Sequence, residues 1–218
     1  MPDGTVFVLG ENTFPWHRLE ARADAFHAIL GDVASVDITT DKTALASLDP
    51  ASVVVDYLTN STLTTAQLTT LQSAIHAGGG YVGVHCAADL TTISVTDGEI
   101  LERPEPHSEL RDLIGGHCLS HADEGQFTVR IEADHPITAG VDDFTIVDAP
   151  YRVDHGDDVQ VLARLDHPTL DSHPVVWTRS YGDGRVCYCS IGHTAQAFST
   201  PAFGTILRNA VRWASPSS

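Results

Sequence analysis

The amino-acid sequence predicts an α/β fold, an open and mostly parallel sheet with helices on both faces. Three observations carry this. Short apolar runs alternate with stretches of helical spacing as far as residue 85. A triple glycine, Gly78-Gly79-Gly80, stops one helical stretch directly before an apolar strand-like run. The chain has 218 residues, 42% hydrophobic and 7% aromatic, enough for one buried core without a disulfide or metal staple. No internal repeat and no linker interrupts it, so residues 1–218 read as a single domain.

Residues 5–10 (TVFVLG) read as a buried strand. Residues 18–30 follow with Leu19, Ala23, Phe26 and Leu30 at helical spacing. Residues 33–38 and 53–56 (VVVD) are the second and third strands. Residues 64–76 predict a helix with Leu68, Leu71 and Ile75 on one face, and residues 81–85 (YVGVH) a fourth strand. Such alternation implies right-handed crossovers. The second half is less regular. Residues 91–106 are polar, with a glycine and two prolines, and read as a long surface loop. Residues 107–114 predict a short helix and residues 126–132 a half-exposed strand. Residues 159–165, 174–179 and 185–191 are further strands, the last two joined by the hairpin signal Tyr181-Gly182-Asp183-Gly184. Residues 203–213 close the fold as a helix with Ile206, Leu207, Ala210 and Val211 inward.

The formal net charge is −17, and Lys42 is the single lysine. So acidic a surface disfavours nucleic acid and anionic membranes as partners. Two readings of the charge compete: a cation-binding surface, and a lysine-poor surface in which carboxylates hold water at high salt. The composition favours the second and, with it, a salt-adapted (halophilic) source. No basic leader precedes the first strand, and no run approaches the ~20 apolar residues of a membrane span. Cys86, Cys118, Cys187 and Cys189 lack CxxC spacing and read as buried free thiols. A reducing, cytoplasmic location is therefore expected.

In an open parallel sheet, ligands bind beyond the carboxyl ends of the strands. That rule filters the twelve histidines. His17 leaves the first strand, His85 ends the fourth and His193 follows residues 185–191, so these three converge on one edge. His27 and His76 lie within helical patterns and do not; His135, His167 and His173 read as exposed turn residues. Residues 80–89 run strand, tight turn, small residues, as in a nucleophile elbow. Gly83 and Ala87 serve as the small flanks, which puts His85 at the apex. A histidine there suits acid–base work or metal ligation, against the plainer reading of a buried, satisfied histidine. Cys86 reads as packing, since its own frame would require Val84 to be small. His117 and His121 are four apart, but Gly115-Gly116 argues against the helix that would pair them, so one of the two at most joins a site.

Read together, GGGYVGVHCAAD (78–89), LIGG followed by SH (113–121), DHPIT (134–138), VVWTRSYGDGRVCYCSIGH (175–193) and PAFGTILRNAVRWA (201–214) make the chain resemble the ThuA-like family, named for trehalose utilisation. The resemblance implies a flavodoxin-like three-layer sandwich of the class I glutamine amidotransferase-like kind, with a mostly parallel central sheet. It also departs from the amidotransferases. Their apex cysteine is His85 here, and His193 is followed by Thr194 and Ala195 rather than by a glutamate two residues on. A glutaminase is therefore not expected.

The resemblance implies sugar metabolism, in particular action on 3-oxo-glycosides or disaccharides by elimination and hydration or by hydrolysis. By motif His85, His121 and His193 carry over as ligands of a divalent metal, with His17 more loosely. Neutral imidazoles suit zinc, and added carboxylates or waters suit manganese. His85, Asp89, Asp148 and Tyr151 are the candidate catalytic groups. The family's glutamate before the tyrosine is Ala149 here. That departure keeps open a non-catalytic sugar-binding or partner module; a Cys86-dependent hydrolase is a third reading. The expected partner is a small sugar, and a homo-oligomer stays open.

Overall fold

The computed structural model describes residues 5–216. Its strands are β1 (Thr5–Gly10), β2 (Ser35–Thr39), β3 (Val53–Tyr57), β4 (Gly80–Val84), β5 (Thr92–Thr96), β6 (Glu99–Glu102), β7 (Gly116–His121), β8 (Gly125–Ile131), β9 (Phe144–Asp148), β10 (Tyr151–His155), β11 (Gln160–Asp166), β12 (Pro174–Tyr181) and β13 (Gly184–Cys189). Its helices are α1 (Ala23–Leu30), α2 (Thr65–His76), α3 (Ser108–Ile114), α4 (Ala195–Phe198) and α5 (Pro201–Ala214).

Nine strands form one sheet in the order β2-β1-β3-β4-β13-β12-β11-β8-β9. The first five are mutually parallel. Counted along the parallel strands alone, this is the flavodoxin-like order 2-1-3-4-5. The remaining ladders are antiparallel. Seven of the nine strands still point the same way, because each second antiparallel step restores the direction.

Period-two alternation makes each central strand feed two cores. Val6, Val8, Val53, Val55, Val82, Val84, Cys187 and Cys189 face one side, where Phe26 and Leu30 of α1 and Phe203 and Leu207 of α5 cover them. Leu9, Val54, Tyr81, Val186 and Tyr188 face the other, under Leu71 and Ile75 of α2 and Leu110 and Leu113 of α3. The result is a three-layer sandwich, as expected. Cys86, Cys187 and Cys189 are buried and free; Cys118 is half-buried.

The predicted strands and helices of the first half recur with shifts of one or two residues at their ends. The exception is residues 18–30, where a 3₁₀ turn at Leu19–Ala21 precedes α1. Thr64 starts α2 with a reciprocal capping box to Gln67, which accounts for its sharp beginning. The second half corrects three expectations. Residues 91–106 are no loop: β5 and β6 pair as a hairpin turned at Asp97 and Gly98, both at positive φ. This is the mirror-image turn that asparagine or aspartate before glycine favours, and it was hidden inside a polar stretch. β7 and β10 pair as a separate antiparallel ribbon, which puts His117 and His121 on a strand. β9 adds an edge strand to β8. His135, His167 and His173 are half-buried rather than exposed.

The antiparallel half is locked to the helical layer through Trp177. Its indole Nε1–H donates to the Ile114 carbonyl at 2.9 Å, and its ring packs on Tyr188 at 4.3 Å between centroids. Trp177→Phe leaves that buried carbonyl unpaired and opens a cavity beside it. A loss of about 2–4 kcal/mol is expected in urea unfolding with an unchanged m-value.

Candidate functional site

Register brings the site together before any side chain is considered. Gly10 pairs with Tyr57 at the ends of β1 and β3, and Cys189 with Val84 at the ends of β13 and β4. Four neighbouring strands thus finish on one edge. The segments leaving them carry His17, Thr59, His85 and His193.

His85 follows β4 at φ 44 and opens a 3₁₀ turn, His85–Ala88. The bend needs small neighbours. A Cβ on Gly83 would lie 3.0 Å from the Tyr188 ring and 3.5 Å from Ala87. His17 is also left-handed, at φ 56. Non-glycine residues rarely adopt such angles, and they concentrate at functional sites.

Three ring nitrogens converge. His17 Nε2 lies 2.8 Å from His193 Nδ1, and His85 Nε2 lies 3.2 Å from the same atom. One nitrogen from each ring falls within 4.8 Å of the other two. Each ring's remote nitrogen has a polar neighbour, and for His85 that neighbour sets the tautomer. His85 Nδ1–H donates to the Ser190 carbonyl at 2.8 Å, since a carbonyl can only accept. His17 Nδ1 lies 3.0 Å from the Thr59 hydroxyl. His193 Nε2 faces Glu124 Oε1 at 3.3 Å. The three inner nitrogens are thus close enough to share a proton or to face one ion together.

Protonation does not relieve that crowding at neutral pH. Burial, aided by the neighbouring imidazoles and the Arg22 guanidinium, lowers the His17 pKa from 6.5 to about 3. Burial and His17 push His85 well below the ordinary value, and burial lowers His193 despite Asp148 and Glu124. A divalent cation satisfies all three donors at once. The two short separations are close to the roughly 3.3 Å between nitrogens on one tetrahedral zinc with bonds of ~2.0–2.1 Å. Remote nitrogens held by carbonyl, hydroxyl or carboxylate are also the usual support of metal-binding histidines. The residues present therefore fit such an ion.

His121 is not a member of this triad. Its ring stacks 6.4 Å from that of His193, and its Nδ1 bonds the Ala122 carbonyl. No partner binds its Nε2 among the described residues. His117, on the same strand, is buried against Asp154 and lies outside the site.

The predicted catalytic carboxylates have other tasks. Asp148 is fully buried and accepts from the backbone N–H groups of Gly192, His193 and Thr194 at 2.7, 3.3 and 2.8 Å. Both oxygens are used, so it positions His193 rather than taking a substrate proton. Asp89 accepts from the N–H and hydroxyl groups of Thr91 and Thr92, anchoring the start of the β5–β6 hairpin. Tyr151 packs 4.2 Å from the His85 ring, and among the described residues nothing bonds its hydroxyl. Burial holds that phenol well above its usual pKa, hence protonated. Cys86 is buried in the core and its thiol is pushed up strongly, the opposite of what a thiolate nucleophile needs.

Two chambers open onto the triad. One of about 470 Å³ is lined by Trp16, His17, Asp89, His121, Tyr151 and His193. A second of about 340 Å³ runs past Trp16, His17, Arg22, Glu124 and His193. Both are lined by His17 and His193, while His85 is fully buried and lines neither. The sequence reading missed Thr59, Arg22, Glu124 and Trp16. Thr59 was within reach of the strand-end rule, lying two residues past β3. Arg22, which donates to the His193 carbonyl at 3.0 Å, had no local signal.

The family model described as ThuA, trehalose utilisation, matches residues 5–214. Among solved structures, a protein described as ThuA-like from Bacteroides uniformis ATCC 8492 superposes with a TM-score of 0.76 at 22% identity, over 97% of this chain and 90% of that one. A second ThuA-like protein, from Parabacteroides merdae ATCC 43184, gives 0.71 at 16% identity, over 99% and 90%. A cytoplasmic protein of Salmonella typhimurium LT2 gives 0.65 at 13%, over 97% and 99%. At these identities the structures share the fold. Among curated proteins, none matches the sequence. No helix among the described residues is long and apolar enough to cross a membrane.

The depressed histidines give a signed prediction for metal-free protein. The unfolded chain protonates His17 below pH 6.5, whereas the folded chain resists until about pH 3. Protons therefore bind preferentially to the unfolded state in that window, and this contribution falls as pH is lowered from 6.5 towards 3. His17→Asn should flatten the acid limb of a stability–pH curve measured by denaturant unfolding. An acid limb identical to wild type would contradict the assignment.

Proposed function

The chain belongs to the ThuA, trehalose-utilisation, family, and on that premise we propose that it is an enzyme acting on 3-oxo-glycosides, with a divalent metal held by His17, His85 and His193. The observation that carries the reading is the convergence of three imidazole nitrogens beside a chamber that also presents a phenol and a fourth histidine.

A ketone at C3 acidifies the C2 proton of the sugar. Removing that proton lets the C1–O bond break, giving an enone and a free leaving group. Water addition at C1 then completes net hydrolysis. Such a site needs a base, a stabiliser for the enolate oxygen and an acid. When bound, a divalent ion supplies Lewis-acid stabilisation of a developing oxyanion. Among the chain's own groups, His121 has the vacant Nε2 suited to a base, with its Nδ1 proton fixed on the Ala122 carbonyl. The Tyr151 hydroxyl, kept protonated by burial, is suited to donate to the departing oxygen. Asp148 and Arg22 hold the backbone of His193 from its two sides. In this reading His121 serves as the base and stands outside the metal-ligand set, in place of Asp89 or Asp148.

The alternative of a non-catalytic module draws on Ala149, which is buried where relatives carry a glutamate. Metal analysis and turnover separate the two. Purified wild type is expected to hold about one equivalent of zinc or manganese, and His85→Ala and His193→Ala to lose it while keeping a native circular dichroism spectrum. His121→Ala should keep the metal and lower kcat on a 3-oxo-glucoside by roughly 10²–10⁴-fold. Metal-loaded wild type that turns over no 3-oxo-glycoside would sink the enzymatic reading.

A further inference from the structure

We infer that the outer lip of the larger chamber is an aglycone subsite, selecting glycosides whose leaving group is aromatic; this rests on the carbohydrate reading above. Three large apolar side chains are well exposed among the described residues: Ile100 at 48%, Leu101 at 57% and Leu119 at 60%. All three come from β6 and β7, and Ile100 and Leu119 line the chamber. On a chain with a net charge of −17, large apolar groups left in water at a single chamber mouth mark a contact site.

Strand alternation sorts these residues. Ile100 and Glu102 face the chamber, and Leu101, between them on β6, faces away. The hairpin that carries them is mounted at both ends. Asp89 holds its first residues, and Arg103, just past β6, donates to Ser61 Oγ at 2.6 Å, the Leu90 carbonyl at 2.7 Å and Thr62 Oγ1 at 3.1 Å. Ile100 is therefore held in place over the opening, although every residue of β6 is exposed. Trp16 adds an aromatic surface beside His17. The buried and half-buried part of the same chamber's lining carries polar groups, on Asp89, Thr92 and Tyr151.

An apolar rim over a polar interior matches a sugar whose hydroxyls point inward and whose substituent is flat and apolar. The acid available agrees. With Asp89 engaged by two threonines, the inner chamber offers the Tyr151 phenol, a weak acid. A phenol leaving group needs little proton assistance, whereas an alkoxide needs much.

The test uses phenyl and methyl β-D-glucopyranosides, which lack the C3 ketone and so are not turned over by this route. Isothermal titration of the full-length protein is expected to show about tenfold tighter binding of the phenyl compound, the order expected for burying a ring in place of a methyl group. Ile100→Ser and Leu119→Ser should bring the ratio close to one, and Leu101→Ser should leave it intact. Equal binding to wild type, or a ratio that survives both lip substitutions, overturns the subsite. So does a wild-type dimer in sedimentation that Ile100→Ser and Leu101→Ser both dissociate, since the lip would then be an interface between copies. A parallel titration with 3-oxo-glucose keeps the two ideas apart. If it binds and the glucosides bind alike, only the subsite fails; if no sugar binds, the carbohydrate reading fails with it.

Discussion

One buried carboxylate joins the two halves of this molecule. Asp148 ends β9, the edge strand of the antiparallel extension, yet its oxygens take the backbone amides that follow β13 in the parallel half. The sheet must curl for these segments to meet, and the contact holds it so. Three amide donors offset much of the cost of burying the charge, although burial still raises the Asp148 pKa above its ordinary value. Thr194 strengthens the joint: its hydroxyl donates to the Val147 carbonyl and accepts from the first turn of α4. The segment carrying His193 is thus fixed by β9 on one side and by Arg22 on the other.

That fixation explains how the site tolerates strain. His17 and His85 both occupy left-handed backbone, and two buried imidazoles and the half-buried His193 ring crowd one another. Each feature costs stability locally. The surrounding packing over-determines them: Tyr188 donates to the His85 carbonyl at 2.7 Å, and Tyr57 to the Gly192 carbonyl at 2.7 Å. These phenols are rigid and buried, so they hold the strained backbone at its carbonyls without adding charge.

The parallel half was legible because its signals are local. Apolar runs such as VVVD and YVGVH, glycine stops and helical spacing each occupy a few adjacent residues, and the strand-end rule then selected His17, His85 and His193 from twelve histidines. The surroundings of His121 were not legible because they depend on a strand, β7, whose partner β10 lies about thirty residues away. Those of Asp148 were hidden for the same kind of reason: only the folded sheet brings three amides to it. The β5–β6 hairpin carried a usable sign, Asp97-Gly98, but β5 and β6 are short, and the adjacent Ile100 and Leu101 of the exposed β6 break a period of two.

The net charge of −17 bears on the site less than it first suggests. Several acids are committed to arginines at the surface, Asp143 and Asp166 to Arg130 and Asp158 to Arg179. The single lysine is half-buried, its ammonium on the carbonyls of Asn60 and Thr62, where it braces the loop after β3. Exposed carboxylates attract cations only over a Debye length, about 8 Å at physiological salt and less in brine. The triad works differently. Burial lowers the pKa of all three imidazoles, and Ser190, Thr59 and Glu124 stand at their remote nitrogens. Salt that screens the surface leaves that geometry untouched, so the arrangement of the triad owes nothing to the acid outside.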